Sequence, residues 1–290
     1  MEKFIFCKDY KEQPSLRDSF NQLAAETFGG LHFEKWYEHG YWDHRYIPYS
    51  YAVDGKIIAN VSVNFLDFII DGAKKKAIQI GTVMTHPDYR GIGLAASLMN
   101  KVIEEYEEEC DFLYLFANDS VLDFYPKFGF VKVEEARFTV DGLPSKASNV
   151  KKLDVQNEAH RNLMYKMVEE RIASKALLNV INTPSLFMFY ALYVFPDNIY
   201  WIEEKELMIV FEEGEEIIEV YDLVSKHHMN HADALKYVPN RDNKPLQLHF
   251  TPDQSVEAHA TIDGSTHLFV RAKGDFTYPS HVLHPITAKA

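Results

Sequence analysis

The chain reads as an α/β protein of the α+β kind, with antiparallel strands, then a helix and strand in alternation, then a second α+β unit of similar order. Three observations predict this. Asp54-Gly55 and Asp71-Gly72 separate three apolar-rich runs, and Asp-Gly between such runs is the strongest short hairpin signal. An apolar run from Ile78 to Met84 enters a glycine-bearing loop that opens into a helical pattern. Beyond residue 150 the order helices, three strands, helix, strand recurs.

Each element follows from its spacing. The alternation from Met1 to Tyr10 predicts a first strand, and Leu16, Phe20, Leu23, Ala24 and Phe28 share one face of a helix over Pro14 to Phe28 that Gly29-Gly30 ends. A short helix is expected over Phe33 to His39. The hairpin strands are Tyr49 to Val53, Lys56 to Ile70 and Lys74 to Met84. From about Gly93 a helix presents Leu94, Leu98, Val102, Ile103 and Tyr106 together. Glu104, Glu105, Glu107, Glu108 and Glu109 crowd its end, where acids oppose the helix dipole, so they read as a solvated terminus. Phe112 to Phe116 is a buried-strand pattern, and Val131 to Val133 with Arg137 to Val140 should complete the sheet.

Asp141 to Lys146 reads as a linker, dividing the chain into 1–145 and 146–290. The second unit should hold helices over Val155 to Val180 and Pro184 to Phe195, then strands at Ile199 to Ile202, Leu207 to Phe211 and Ile217 to Val224. A short helix, His231 to Val238, and strands at Leu246 to Phe250 and His267 to Ala272 close it.

Composition excludes several classes. No apolar run approaches the roughly 18 residues of a membrane span, Leu186 to Phe195 being the longest candidate. No basic stretch precedes an apolar one at the N-terminus, so no signal peptide is read. Cys7 and Cys110 are too few for a disulfide framework or a metal cluster, and a cytoplasmic home with no membrane partner is expected. A net charge of −13 argues against nucleic acid; it suits a cationic substrate, and solubility accounts for it equally well. Nothing in the sequence sets the oligomeric state.

The loop Thr85-His86-Pro87-Asp88-Tyr89-Arg90-Gly91-Ile92-Gly93-Leu94-Ala95 is built to hold an anion. Gly91 and Gly93 let the backbone approach a ligand, the helix start supplies unpaired amides and the positive end of a dipole, and Arg90 adds a fork of donors. A pyrophosphate suits such a place. A P-loop would need Lys and Ser or Thr where Leu94 and Ala95 stand, and Ala96 fills the third position of a dinucleotide fingerprint only loosely. Arg90-x-x-Gly93-x-Ala95 fits Arg/Gln-x-x-Gly-x-Gly/Ala. Some 30 residues on, Asn118-Asp119-Ser120 is followed by Tyr125-Pro126-Lys127-Phe128-Gly129-Phe130, a Tyr-x-x-x-Gly-Phe sequence.

On these two motifs residues 1 to 142 resemble the GNAT superfamily of acetyl-CoA-dependent N-acetyltransferases. The resemblance implies a mixed, mostly antiparallel sheet flanked by helices, with acetyl-CoA as cosubstrate and a primary amine of a small molecule or peptide as acceptor. It implies that Val83, Met84 and Thr85 meet the pantetheine arm and thioester, that Arg90, Gly91, Ile92, Gly93, Leu94 and Ala95 hold the pyrophosphate, and that Asn118 bonds the pantetheine. Tyr125 matches the general acid, since a phenol's pKa of about 10 suits protonation of a thiolate; the plainer reading is packing under the Gly129 turn.

Other assignments are looser. Asp67 is a candidate base by location alone. Trp36, Tyr37 and Trp42 belong to an aromatic, acid-interleaved stretch, 33–51, that is either a wall for the amine or core. His86 is assigned to the loop. His227, His228 and His231 lack a Cys or carboxylate cluster, so a solvated turn is expected and no metal. The second unit reads as a degenerate GNAT-like half of a tandem protein, the alternative being a lipid-carrier-like α+β domain. A non-catalytic acyl-CoA sensor is the other functional class, and Tyr125 favours the enzyme.

Overall fold

The computed structural model describes residues 3–290, the side chains of 265 and 266 apart. Both Asp-Gly pairs turn with left-handed backbone at each central residue, φ +48° and +77° at Asp54 and Gly55, +48° and +74° at Asp71 and Gly72. That is the turn whose twist matches a hairpin. It joins β2 (Tyr46–Val53), β3 (Lys56–Ile70) and β4 (Ala73–Thr85), which follow β1 (Ile5–Lys8), α1 (Pro14–Thr27) and α2 (Glu34–Glu38). Met1 and Glu2 of the expected first strand lie outside the described residues. α3 (Leu94–Tyr106), β5 (Phe112–Phe116) and β6 (Val131–Val140) come next. β7 (Lys151–Lys152), α4 (Glu158–Glu169), β8 (Leu178–Ile181), α5 (Pro184–Tyr193) and β9 (Ile199–Ile202) lead on to β10 (Leu207–Glu213), β11 (Ile218–Ser225), α6 (His231–Leu235), β12 (Leu246–Leu248) and β13 (His259–Ala272).

The strands form one mixed, mostly antiparallel sheet in the order β1-β2-β3-β4-β5-β13-β6-β12-β11-β10-β9-β7, with β8 on β3. Its two halves mirror each other. β4 runs parallel to β5, and β11 parallel to β12, each pair bridged by a helix. The two central strands are exchanged: β13 lies between β5 and β6, and β6 lies between β13 and β12. A chain cut at 145 would leave β5 and β6 without the strand that joins them.

Two expectations differ here. The helix expected over Val155 to Val180 is α4 alone, capped by the Asn157 side chain accepting from the His160 amide. Past Glu169 the chain is drawn off the helix, because Arg171 bonds Asp222 at 2.5 Å and the Ile172 amide donates to the Ser225 carbonyl. Leu178–Ile181 then pairs as β8 with Asp67–Ile70. The two short strands expected at 131–140 are one strand, since β13 and β12 between them pair along its length.

One face of the sheet carries α3, whose Leu94, Leu98, Met99 and Val102 pack on Val61, Val63, Ile78 and Ile80. The other face carries an aromatic core in which Phe20, Phe33, Trp36, Trp42 and Tyr46 meet Phe187 and Met188 of α5. The putting together of these two cores on opposite sides of β4 positions the site.

Candidate functional site

Pairing between β4 and β5 ends at Ile80 and Leu115, while β4 continues to Thr85. The strands part at that point. There the β3–β4 register shifts, Asn60 facing Met84 but Ser62 facing Gly81, and Thr82 takes φ +48°. A β-bulge re-aims the backbone, and a threonine in the left-handed region is held there by its surroundings. Its hydroxyl lies 2.6 Å from the Tyr46 hydroxyl. Val83, Met84 and Thr85 therefore stand on the strand that swings open beside β5.

The loop that follows has the geometry its glycines suggested. Gly91 and Gly93 have φ +80° and +87°, Gly93 is the N-cap of α3, and a Cβ added to either would meet nothing within 4 Å. The first bond of the helix runs from the Ser97 amide to the Gly93 carbonyl, 2.9 Å, so the amides ahead of it lie outside the ladder. Ile92 is 58 % exposed, and Arg90 reaches back to donate to the Thr85 carbonyl at 3.1 Å. His86 accepts from the Asp88 amide and shapes the turn.

Across the opening, Asn118 is exposed at the end of β5 and begins a short turn. Tyr125 follows on the next turn, 5 % exposed among Phe124, Phe130 and Phe269, and burial pushes its phenol up to about 12. β13 braces both turns. The Ala117 amide donates to the His267 carbonyl, the His267 ring lies 2.5 Å from Asp119, and Arg271 donates to the Phe128 carbonyl at 2.8 Å. Gly129 takes φ +78°, a backbone conformation that favours glycine, and a Cβ there would crowd the Arg271 guanidinium.

Asp67 does not join this group. It faces Lys76 on β4, five residues along β3 from Ser62, a span of about 17 Å at about 3.4 Å per residue. Its carboxylate accepts from Arg45 and Asn182, at 3.3 and 2.8 Å, and so serves the junction of β3 with β8. Of the aromatic stretch, Trp36 alone among the three named residues borders a cavity at the bulge. That cavity, about 220 Å³, is lined by Phe28, Leu31, Phe33, Trp36, Tyr46 and Thr82 with α5 and residues 289 and 290. Trp42 is buried, donating to the Tyr46 carbonyl and stacking on Trp36, and Tyr37 turns outward to Glu12 with Arg17 over its ring.

Sequence reasoning missed Thr82, Gln79 and the final segment, whereas Tyr46 belongs to the aromatic stretch 33–51. The Ala290 amide donates to Gln79 Oε1 and its carbonyl accepts from Nε2, at 2.9 and 3.2 Å. Gly81 admits this approach, since a Cβ there would lie 3.0 Å from the Ala290 carbonyl. A glycine inside a strand was the available signal.

The matching place in the other half is narrowed to a cavity of about 60 Å³ that Arg171 and Asp222 border. Counted from the first parallel pair, Asp222 stands where Gly81 does, buried and held by Arg171 and by Thr287 at 2.7 Å. The loop after β11 leads into the five-residue α6 and has no glycine. Exposed His227 pairs with Glu206, whereas His231 is buried on Phe250 and accepts from the Asp253 amide. Among the described residues no group of three His, Cys, Asp or Glu could hold a metal, and no helix is long and apolar enough to cross a membrane.

Comparison with known proteins gives three findings. Residues 17–130 match the profile of the Acetyltransferase (GNAT) family. An uncharacterized N-acetyltransferase, ycf52, of Porphyra purpurea is 39 % identical over 54 residues, 18 % of this chain and 31 % of that protein, so the match spans about a third of the relative's length. Among solved structures, a probable N-acyltransferase of unknown function from Enterococcus faecalis superposes with TM-score 0.64 at 14 % identity, over 93 % of this chain and 72 % of that one. A GCN5-related N-acetyltransferase from Kribbella flavida does so with TM-score 0.60 at 18 % identity, over 93 % and 71 %. At these identities the likeness is one of fold, and it extends through both halves.

Proposed function

We propose, from the match of residues 17–130 to the profile of the Acetyltransferase (GNAT) family, that the chain transfers an acetyl group from acetyl-CoA to a primary amine by direct attack in a ternary complex. The observation that carries the reading is the bulged, parted end of β4, with an open left-handed glycine loop on one side and a buried phenol across the gap.

In this reading the amides of Gly91 to Ala95 and the start of α3 hold the pyrophosphate, aided by Arg90 once it leaves the Thr85 carbonyl. Asn118 bonds the pantetheine arm, and the backbone of Val83, Met84 and Thr85 orients the thioester and polarises its carbonyl. The amine nitrogen attacks that carbon; a C–N bond forms and the C–S bond breaks. Tyr125 gives its proton to the departing sulfur and regains one from the ammonium through water. A phenol raised by burial remains protonated at neutral pH, and the same dry surroundings raise the thiol it protonates.

The second half, in our reading, binds no CoA and supplies β13, α5 and the final segment as walls of the site. The test is amine-dependent release of thiol from acetyl-CoA by the intact chain. CoA binding without release in the presence of any amine would move the protein to the acyl-CoA sensor class.

A further inference from the structure

The cavity beside Thr82 opens on the face of the sheet opposite α3, so a ligand in it would meet a thioester at the β4 bulge from the side away from the pyrophosphate loop. Its walls are apolar. Phe28, Leu31 and Phe33 come from the segment after α1, Trp36 from α2, and Phe189 and Tyr190 from α5. The polar ends of these aromatics are committed elsewhere: Trp36 Nε1 donates to the Ser185 carbonyl at 2.6 Å, Tyr190 to the Lys289 carbonyl at 2.7 Å, and the Tyr46 hydroxyl meets Thr82. Among the described residues no carboxylate side chain lines the cavity, and the charged side chain at its border is a cation, Lys289, whose ammonium lies 3.8 Å from Glu135 and 4.2 Å from the Phe116 ring centroid.

Resting on the acetyltransferase reading, we propose that the acceptor is a primary amine carried on an aryl or short alkyl group, which enters this cavity and leaves its nitrogen at Thr82. Size agrees, since a dry apolar cavity of about 150 Å³ takes benzene and this one, about 220 Å³, leaves room for a ring and a two-carbon stem. Charge agrees as well. A polyamine or an aminosugar would carry further ammonium or hydroxyl groups into apolar walls, at the cost of burying them without a partner, and the cost is largest for a second charge. The overall charge of −13 therefore does not define the acceptor: the acids lie outside the pocket that selects it.

The test uses the intact chain with saturating acetyl-CoA and compares kcat/KM for 2-phenylethylamine and hexylamine with that for ethylamine and spermidine. The aryl and hexyl amines are expected to exceed both others by about 100-fold or more. Leu31→Trp, at a half-buried loop position that tolerates bulk, should fill the cavity and cost 2-phenylethylamine at least about 10-fold while CoA affinity stays within about two-fold. Should that variant not fold, Phe189→Ala removes one wall and should lower the preference for the ring in the same assay. Spermidine or ethylamine used as well as the aryl amine overturns the inference and leaves the acetyltransferase reading intact. Tight CoA binding with no transfer to any of the four overturns both.

Discussion

Gly93→Val separates ligand binding from folding at the loop. Gly93 sits at φ +87° with nothing within 4 Å of an added Cβ, so the substitution meets no wall in the free protein. Its cost is backbone strain, about 1–3 kcal/mol for a side chain held in the left-handed region. For a chain of this size that lowers Tm by roughly 2–10 °C and leaves a folded protein. Binding is affected differently. A branched side chain at the helix N-cap occupies the space a pyrophosphate needs, and loss of two amide bonds to a charged group, at about 1.5–3 kcal/mol each, weakens CoA about 10²–10⁴-fold. Titration calorimetry with CoA, paired with a thermal melt, reads both effects. A folded Gly93→Val protein that binds CoA with unchanged affinity would refute the assignment of this loop.

Other consequences are as definite. Tyr125→Phe should lower kcat by about 10²–10⁴ with CoA affinity little changed, and because the phenol is raised to about 12, no alkaline limb from it should appear at neutral to mildly basic pH. CoA should bind once per chain, since Asp222 and Arg171 narrow the corresponding place in the second half; two equivalents would show a site there. His284 is buried between Tyr114 and the Pro285 carbonyl, and desolvation lowers its pKa from 6.5 to about 3. The unfolded chain thus takes up a proton that the folded one refuses, so this contribution is whole above pH 6.5 and is lost as pH falls toward 3; Tm should decline over that window less steeply in His284→Phe.

What was legible in the sequence was local. Asp54-Gly55 and Asp71-Gly72 fixed two hairpins because only residues at ease with positive φ make that turn, and the Gly91–Gly93 loop declared itself for the same reason. The exchange of β6 and β13 was not legible, because strand order depends on pairings more than 100 residues apart and β13 reads locally like any strand. The distance of Asp67 from the opening in the sheet was not legible, because a strand pattern gives the face of a residue but not its place along the strand relative to its neighbours. Trp36 and Trp42 looked alike in sequence; α5, arriving from residue 184 onward, packs on Trp36 beside the cavity, whereas Trp42 is buried against Phe20, Phe33 and Trp36. Thr82 was overlooked since a bulge is a relation between two strands, and only Gly81 hinted at it.

The account stands most directly on where the acetyl group goes. Intact chain, acetyl-CoA and 2-phenylethylamine can be mixed for a single turnover, and both protein and small molecules weighed by mass spectrometry. Direct transfer predicts acetylated amine and free CoA in equal amounts, with the protein's mass unchanged at every time. An acetyl group retained on the protein, or CoA bound and released with its acetyl group still attached, would contradict it.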